Sequence, residues 1–156
     1  MTQEQFQSLM QPIMDAIRGR PLDQALAEDL NRDFPADGET FRAIDAACRA
    51  AIEAGWMCPH GEGRLRFGRV VKPSPESHDL SIDVVRISNL AGPHHSHPMG
   101  EVCLTMPLTD GALFDGAGAG WCVNEPGSAH SPTVSGGDAM VLYLLPGGQI
   151  QFTKVE

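Results

Sequence analysis

The chain has 156 residues, enough for one domain with a sizeable core. Its 11 Lys+Arg against 20 Asp+Glu give a formal net charge of −9, which disfavours a nucleic acid or an anionic membrane as a partner. No apolar run approaches the ~20 residues of a membrane span, and the four cysteines form no Cys-x-x-Cys pair, so we expect a cytoplasmic protein with reduced thiols.

Three helices are predicted in residues 1–56. Thr2-x-x-Gln5 is typical of a capping box, and apolar residues follow at helical spacing, although Pro12 predicts a kink or a later start. A second helix is predicted from Pro21, and a third from about Glu39, with Gly55 as its C-cap. Their apolar stripes indicate a cover packed on a core rather than a cofactor site.

The remaining chain predicts short strands joined by turns. Gly and Pro number 23 in residues 57–156 against six before them, and the apolar period changes to two. Strands are predicted at Leu65–Val71, 80–88, 101–106, 121–124, 139–145 and 149–154, with turns that include Gly136-Gly137. The fold class is therefore mainly β, with a helical segment over 1–60 packed on an antiparallel β region over 61–156 as a single structural unit.

Residues 92–101 read Gly-Pro-His-His-Ser-His-Pro-Met-Gly-Glu and carry the strongest chemical signal. On a strand, His95 and His97 point to the same face, and Glu101 has the same parity. Two imidazoles and a carboxylate suit a divalent transition metal, with Fe, Mn, Zn and Ni all open, and His130 is available as a fourth ligand. The other histidines are given no ligand role: His60, His78 and His94.

This pattern resembles the cupin superfamily. The first cupin motif, two histidines separated by one residue and followed by a glutamate, is matched by His95, His97 and Glu101. The second motif, a glycine, a proline and then a histidine, is similar to Gly120, Pro126 and His130. The resemblance implies a small antiparallel β-barrel, or jelly roll, that holds a metal with His95, His97, Glu101 and His130.

The apolar residues on both faces of the strand that begins at Glu101 predict that helices or a second subunit cover it. Cys103 and Thr105 share the parity of Glu101 and are expected to line the metal cavity. The opposite face of the strand is also apolar, so helices or a partner must cover it. We therefore expect helical packing, a homodimer, or both.

Four further residues are candidates for binding or catalysis. Trp121 is either a wall that stacks on an aromatic substrate or a core aromatic, and Tyr143 is either a proton donor or a core residue. No Lys or Arg occurs between Arg86 and Lys154, so a carboxylate-binding pocket must take its arginine from earlier strands. Arg66 and Arg86 are the candidates, and solvated strand-edge charges are the alternative.

The whole chain resembles the small 4-hydroxylaminobenzoate lyases of nitroaromatic breakdown, through its helical N-terminus and the segments 92–101, 117–121 and 143–148. The resemblance implies conversion of 4-hydroxylaminobenzoate, a small aromatic carboxylate, to 3,4-dihydroxybenzoate with release of ammonia. It also implies a Lewis-acid metal, Glu101 as ligand or proton shuttle, Trp121 on the ring, and Arg66 or Arg86 on the carboxylate. Two alternatives stay open, an Fe(II) cupin dioxygenase and a metal-dependent small-molecule binding protein without turnover.

Overall fold

A computed structural model describes residues 1–153, so Lys154, the end of the last predicted strand, lies outside the described residues. Within these residues, three helices precede ten strands. The helices are α1 (Gln3–Ile17), α2 (Gln24–Asp33) and α3 (Glu39–Ala54). The strands are β1 (His60–Glu62), β2 (Leu65–Val71), β3 (Leu80–Ala91), β4 (His95–His97), β5 (Glu101–Pro107), β6 (Leu113–Phe114), β7 (Gly120–Asn124), β8 (Ser128–His130), β9 (Thr133–Pro146) and β10 (Gln151–Phe152). None of these helices is long and apolar enough to cross a membrane.

The helix ends follow their capping residues. The Thr2 capping box is confirmed, and α1 runs through Pro12, so the alternative of a later start is wrong. Helix α2 begins at Gln24 rather than at Pro21, because the side chain of Asp23 accepts a hydrogen bond from the backbone N–H of Leu26. Gly55 ends α3 in the left-handed region, as predicted.

Strands β3 and β9 are longer than the sequence pattern predicts. They pair from Leu80 with Pro146 to Ala91 with Thr133, with a shift in register between Ser88 and Leu90. The turn predicted at Gly136-Gly137 is therefore wrong, since both glycines lie inside β9. The side chain of Asn89 accepts a hydrogen bond from Gly137 N–H at this irregularity, which lets the ladder continue past it.

The strands form two antiparallel sheets arranged as a jelly roll. The seven-stranded sheet has the order β1-β2-β3-β9-β5-β7, with β6 paired to β9, and the three-stranded sheet has the order β10-β4-β8. The sheets do not close into a barrel. The predicted fold class, an antiparallel jelly roll with three N-terminal helices, is confirmed, with an open arrangement in place of the closed barrel.

The core lies on both faces of the large sheet. Val102, Leu104 and Met106 of β5 face the three helices and share one apolar cluster with them. Cys103 and Tyr143 lie on the other face, in a smaller cluster beneath the small sheet. Both apolar faces of β5 are thus covered within this chain, and the candidate site lies on the face away from the helices.

Candidate metal centre and cavity

Four side chains from three strands converge at one point between the two sheets. His95, His97, Glu101 and His130 each offer one ligand atom, and these atoms all lie within 4.8 Å of one another. The first three residues are 3%, 0% and 0% exposed, and His130 is half-buried. The sequence prediction that these four residues lie together is confirmed.

Local backbone geometry explains the convergence. Strand alternation turns His95 and His97 of β4 to the same side, and pairing of β4 with β8 places His130 directly opposite His95. A turn closed by the hydrogen bond from Gly100 N–H to the carbonyl of His97 then leads to Glu101 in the other sheet. Gly100 has φ +85°, and a Cβ there would lie 2.9 Å from Leu22 Cδ2, so only glycine fits this turn.

The ring nitrogens that face the centre present lone pairs. His95 Nδ1 lies 3.1 Å from the carbonyl oxygen of Pro93, and His130 Nδ1 lies 2.7 Å from Asp115 Oδ2. These acceptors place the ring proton on Nδ1, so the Nε2 atoms of both rings are left as acceptors. His130 Nε2 nevertheless lies 3.1 Å from the Nε2 atoms of both His95 and His97. Facing lone pairs at this distance repel each other, and a cation between them removes the repulsion.

The carboxylate of Glu101 is held by one oxygen only. Its Oε1 lies 2.6 Å from Cys103 Sγ and accepts a hydrogen bond of 2.9 Å from Asn124 Nδ2. Its Oε2 is buried 3.1 Å from His97 Nε2 and makes no hydrogen bond within residues 1–153. The unpartnered oxygen and the three Nε2 atoms form a nitrogen-and-oxygen donor set that fits a divalent transition metal.

The protonation of the cluster follows from its burial. Burial lowers the pKa of His97 to about 3, with the neighbouring His95 and His130 acting in the same direction, so this ring is a neutral ligand at pH 7. Burial likewise lowers the pKa of His95 and raises the pKa of Glu101 to about 7. At His130 burial opposes protonation, but the hydrogen bond that the ring donates to Asp115 and the negative charges of Glu101 and Asp115 together raise the pKa.

An apolar cavity of about 430 Å³ opens beside the cluster, between β2, β3 and the small sheet. This volume is within the range of small-molecule sites. Its apolar walls are formed by Leu65, Phe67, Val85, Ile87, Ile150 and Phe152. Its polar side chains are His60, Arg69, Asp83, His95 and Tyr143.

The structure separates the other predicted site residues into two groups. Tyr143 lines the cavity, as a proton donor to a substrate must. Trp121 instead packs with the helices, where its Nε1–H donates to the carbonyl of Phe34. Arg66 and Arg86 pair with each other across β2 and β3 and do not line the cavity. Cys103 and Thr105 are fully buried, and Cys103 contacts Glu101 rather than the cavity.

Three residues that surround the site were not singled out from the sequence. Asp115 comes from the glycine-rich loop, and Asn124 lies opposite Glu101 in the register of β5 and β7. Arg69 is the arginine that lines the cavity, whereas the sequence pattern favoured Arg66. Of these three residues, only Asn124 could have been found from the sequence, through its position opposite Glu101. A polar residue opposite a buried carboxylate can donate a hydrogen bond to it.

Comparison with known proteins gives consistent matches. The family model described as PnbB: 4-hydroxylaminobenzoate lyase matches residues 8–152. A 4-hydroxylaminobenzoate lyase of Pseudomonas putida is 31% identical over 79% of this chain and 80% of its own, and one of Nocardioides sp. (strain LMS-CY) is 29% identical over 90% and 89%. The crystal structure of the DMSP lyase DddQ from Ruegeria pomeroyi DSS-3 covers 97% of this chain and 98% of its own, at 18% identity and a TM-score of 0.56.

Proposed function

The chain belongs to the 4-hydroxylaminobenzoate lyase family and is a lyase, and we propose that it converts 4-hydroxylaminobenzoate to 3,4-dihydroxybenzoate with release of ammonia. The reaction consumes one water and releases one ammonia, so its atoms balance without an external oxidant or reductant. The N–O bond, the C–N bond and one ring C–H bond of the substrate break, two ring C–O bonds form, and the nitrogen leaves as ammonia.

The convergence of four donor atoms at the wall of an apolar cavity carries this proposal. His95, His97, Glu101 and His130 would hold a divalent transition metal, with Fe, Mn, Zn and Ni all compatible with the donor set. Such an ion supplies a Lewis acid for the hydroxylamine oxygen and a position for water.

The chain's own groups account for the remaining needs of the reaction. The apolar walls take up the aromatic ring and exclude bulk water. Tyr143 lines the same cavity, and burial raises the pKa of its hydroxyl well above the ordinary value, so the hydroxyl is protonated and can donate its proton to the departing oxygen. Glu101 Oε2 is the free oxygen of its carboxylate and serves as the ligand atom or as a proton acceptor. Trp121, Arg66 and Arg86 lie off the cavity, so ring binding is assigned to the apolar walls instead.

The test is an assay of the purified, metal-analysed protein with 4-hydroxylaminobenzoate in the absence of oxygen. Ammonia and 3,4-dihydroxybenzoate are expected in equal amounts, with bound metal close to one ion per chain. Turnover that requires oxygen and releases no ammonia would instead identify a dioxygenase. Tight binding of aromatic acids without any turnover would identify a binding protein.

Assembly and location stay predictions. The homodimer was expected because both faces of β5 are apolar. Both faces are covered within the chain, so this strand does not need a partner subunit. Light scattering after size-exclusion chromatography measures the mass in solution and decides between monomer and dimer. A cytoplasmic location, without a nucleic-acid partner, is proposed from the acidic composition and from the four cysteines, which form no Cys-x-x-Cys pair.

A further inference from the structure

Side chains from four neighbouring strands form a row across the cavity face of the large sheet. In the strand register Arg69 of β2 is opposite Asp83 of β3, Asp83 is opposite Tyr143 of β9, and Tyr143 is opposite Cys103 of β5. Adjacent strands lie ~4.8 Å apart, so the row extends across the cavity floor. One end reaches the metal centre, since Cys103 contacts Glu101, and the other end is Arg69.

Arg69 is the only Lys or Arg that lines the cavity in the part of the chain that the structure describes. Asp83 holds one edge of its guanidinium, with Nε at 2.8 Å from Oδ1 and Nη2 at 3.3 Å from Oδ2. Nη2 also donates to the carbonyl of Gly148. Within residues 1–153 no hydrogen bond uses Nη1, and the side chain is about one third exposed. The guanidinium is therefore fixed in orientation while one N–H edge stays available.

We propose that Arg69 binds the carboxylate of an aromatic acid, with the substrate lying along this row. The inference rests on the proposed function and adds the orientation of its substrate. The two substituents of a para-substituted ring are at opposite ends, as are Arg69 and the metal centre. Between them lie Tyr143 and the apolar side chains of Val85 and Ile87, which suit the ring. Arg69 and Asp83 form a pair of no net charge, so the substrate carboxylate is held mainly by hydrogen bonds from the free Nη1 of Arg69.

The test compares Arg69→Gln with the wild type on two substrates, 4-hydroxylaminobenzoate and phenylhydroxylamine, which lacks the carboxylate. Arg64→Gln is the matched control, since it removes an exposed arginine from the turn before β2. We expect Arg69→Gln to lower kcat/KM for the carboxylate substrate about 10- to 100-fold, mainly through KM. Turnover of phenylhydroxylamine is expected to stay within about twofold of the wild type, and Arg69→Lys should recover part of the loss.

A binding measurement separates this inference from the proposed function. Calorimetric titration with 4-hydroxybenzoate and with phenol gives the carboxylate's contribution to affinity without any turnover. If the wild type prefers 4-hydroxybenzoate and Arg69→Gln loses that preference, Arg69 is the anchor even if no lyase activity is found. If folded Arg69→Gln protein keeps the wild-type preference, the inference is overturned while the lyase activity can still stand. Loss of the preference in Arg66→Gln or Arg86→Gln instead would also overturn it.

Discussion

Asp115 Oδ2 lies 2.7 Å from His130 Nδ1, although the two residues are 15 positions apart in the chain. The other oxygen of the same carboxylate accepts a hydrogen bond from the backbone N–H of Thr133. Asp115 has φ +48°, a left-handed conformation that costs free energy for a residue other than glycine. The strained loop therefore holds a carboxylate whose two oxygens are both engaged, and one of them orients the ring of His130.

Asp115→Ala is expected to weaken metal binding about 10- to 100-fold, because His130 loses the acceptor that fixes its ring and tautomer. The affinity is measured by competition between the protein and a chelator of known strength. Asp110→Ala is the control, since Asp110 is an exposed carboxylate in the loop that precedes β6. Equal affinities in the two variants would show that Asp115 has no part in positioning the ligand.

His97→Ala is expected to lose bound metal and to lower turnover of 4-hydroxylaminobenzoate about 100-fold or more. His97 is fully buried, so its folded state is checked by circular dichroism. His94→Ala is the matched histidine control, because its Nδ1 contacts Thr153 and not the cluster. Elemental analysis of both variants gives the metal content, and retention of metal and turnover by His97→Ala would rule out the proposed centre.

Tyr143→Phe is expected to lower kcat about 100-fold or more, with the same fold and a similar melting temperature. The substitution removes only the hydroxyl of a cavity-lining side chain and leaves the ring packing against Phe114 intact. Rapid-quench or steady-state kinetics measure kcat, and calorimetry measures the melting temperature. An unchanged kcat would show that the proton comes from another group.

Trp121→Phe is expected to lower the free energy of unfolding by about 1–3 kcal/mol and to leave kcat/KM unchanged. The indole packs against the helices and donates to the carbonyl of Phe34, so its loss creates a void and an unpaired acceptor there. Urea unfolding measures the change in stability. A large drop in kcat/KM with native stability would support the stacking role suggested by the sequence.

The four thiols are expected to react slowly with a disulfide reagent at pH 8 in the folded protein and fully after unfolding. All four cysteines are free, and burial raises the pKa of Cys58 to about 11 and the pKa of Cys103 well above its usual value. A thiol whose pKa is raised contains little thiolate at pH 8, and the thiolate is the reactive form. Cys122 is half-buried and should react first; rapid reaction of more than one thiol would contradict this packing.

The convergence of the four candidate ligands could be predicted from the sequence because most of it depends on local rules. Strand alternation places His95 and His97 on one side, and a single turn joins them to Glu101. His130 was predicted from the resemblance of Gly120, Pro126 and His130 to the second cupin motif. The same rules indicated the three helices, whose capping residues mark their ends.

The choice of arginine could not be made in the same way. Residues at even and odd positions of β2 point to opposite faces, and Leu65, Phe67 and Arg69 line the cavity whereas Arg66 does not. The sequence contains no signal for which face borders the cavity, so Arg66 was chosen in place of Arg69. Asp115 was missed for a different reason, since it reaches His130 through a loop conformation that no periodicity describes.

The ligand cluster draws on both sheets, with three histidines from the small sheet and Glu101 from the large one. An ion bound there would cross-link the two sheets, which otherwise meet through apolar contacts and connecting loops. The large sheet is braced by the helices on its far side, whereas the small sheet has only three short strands. Bound metal would therefore stabilise the packing of the small sheet against the large sheet over the cavity. Without the metal, the protein would lose this stabilisation as well as its proposed activity.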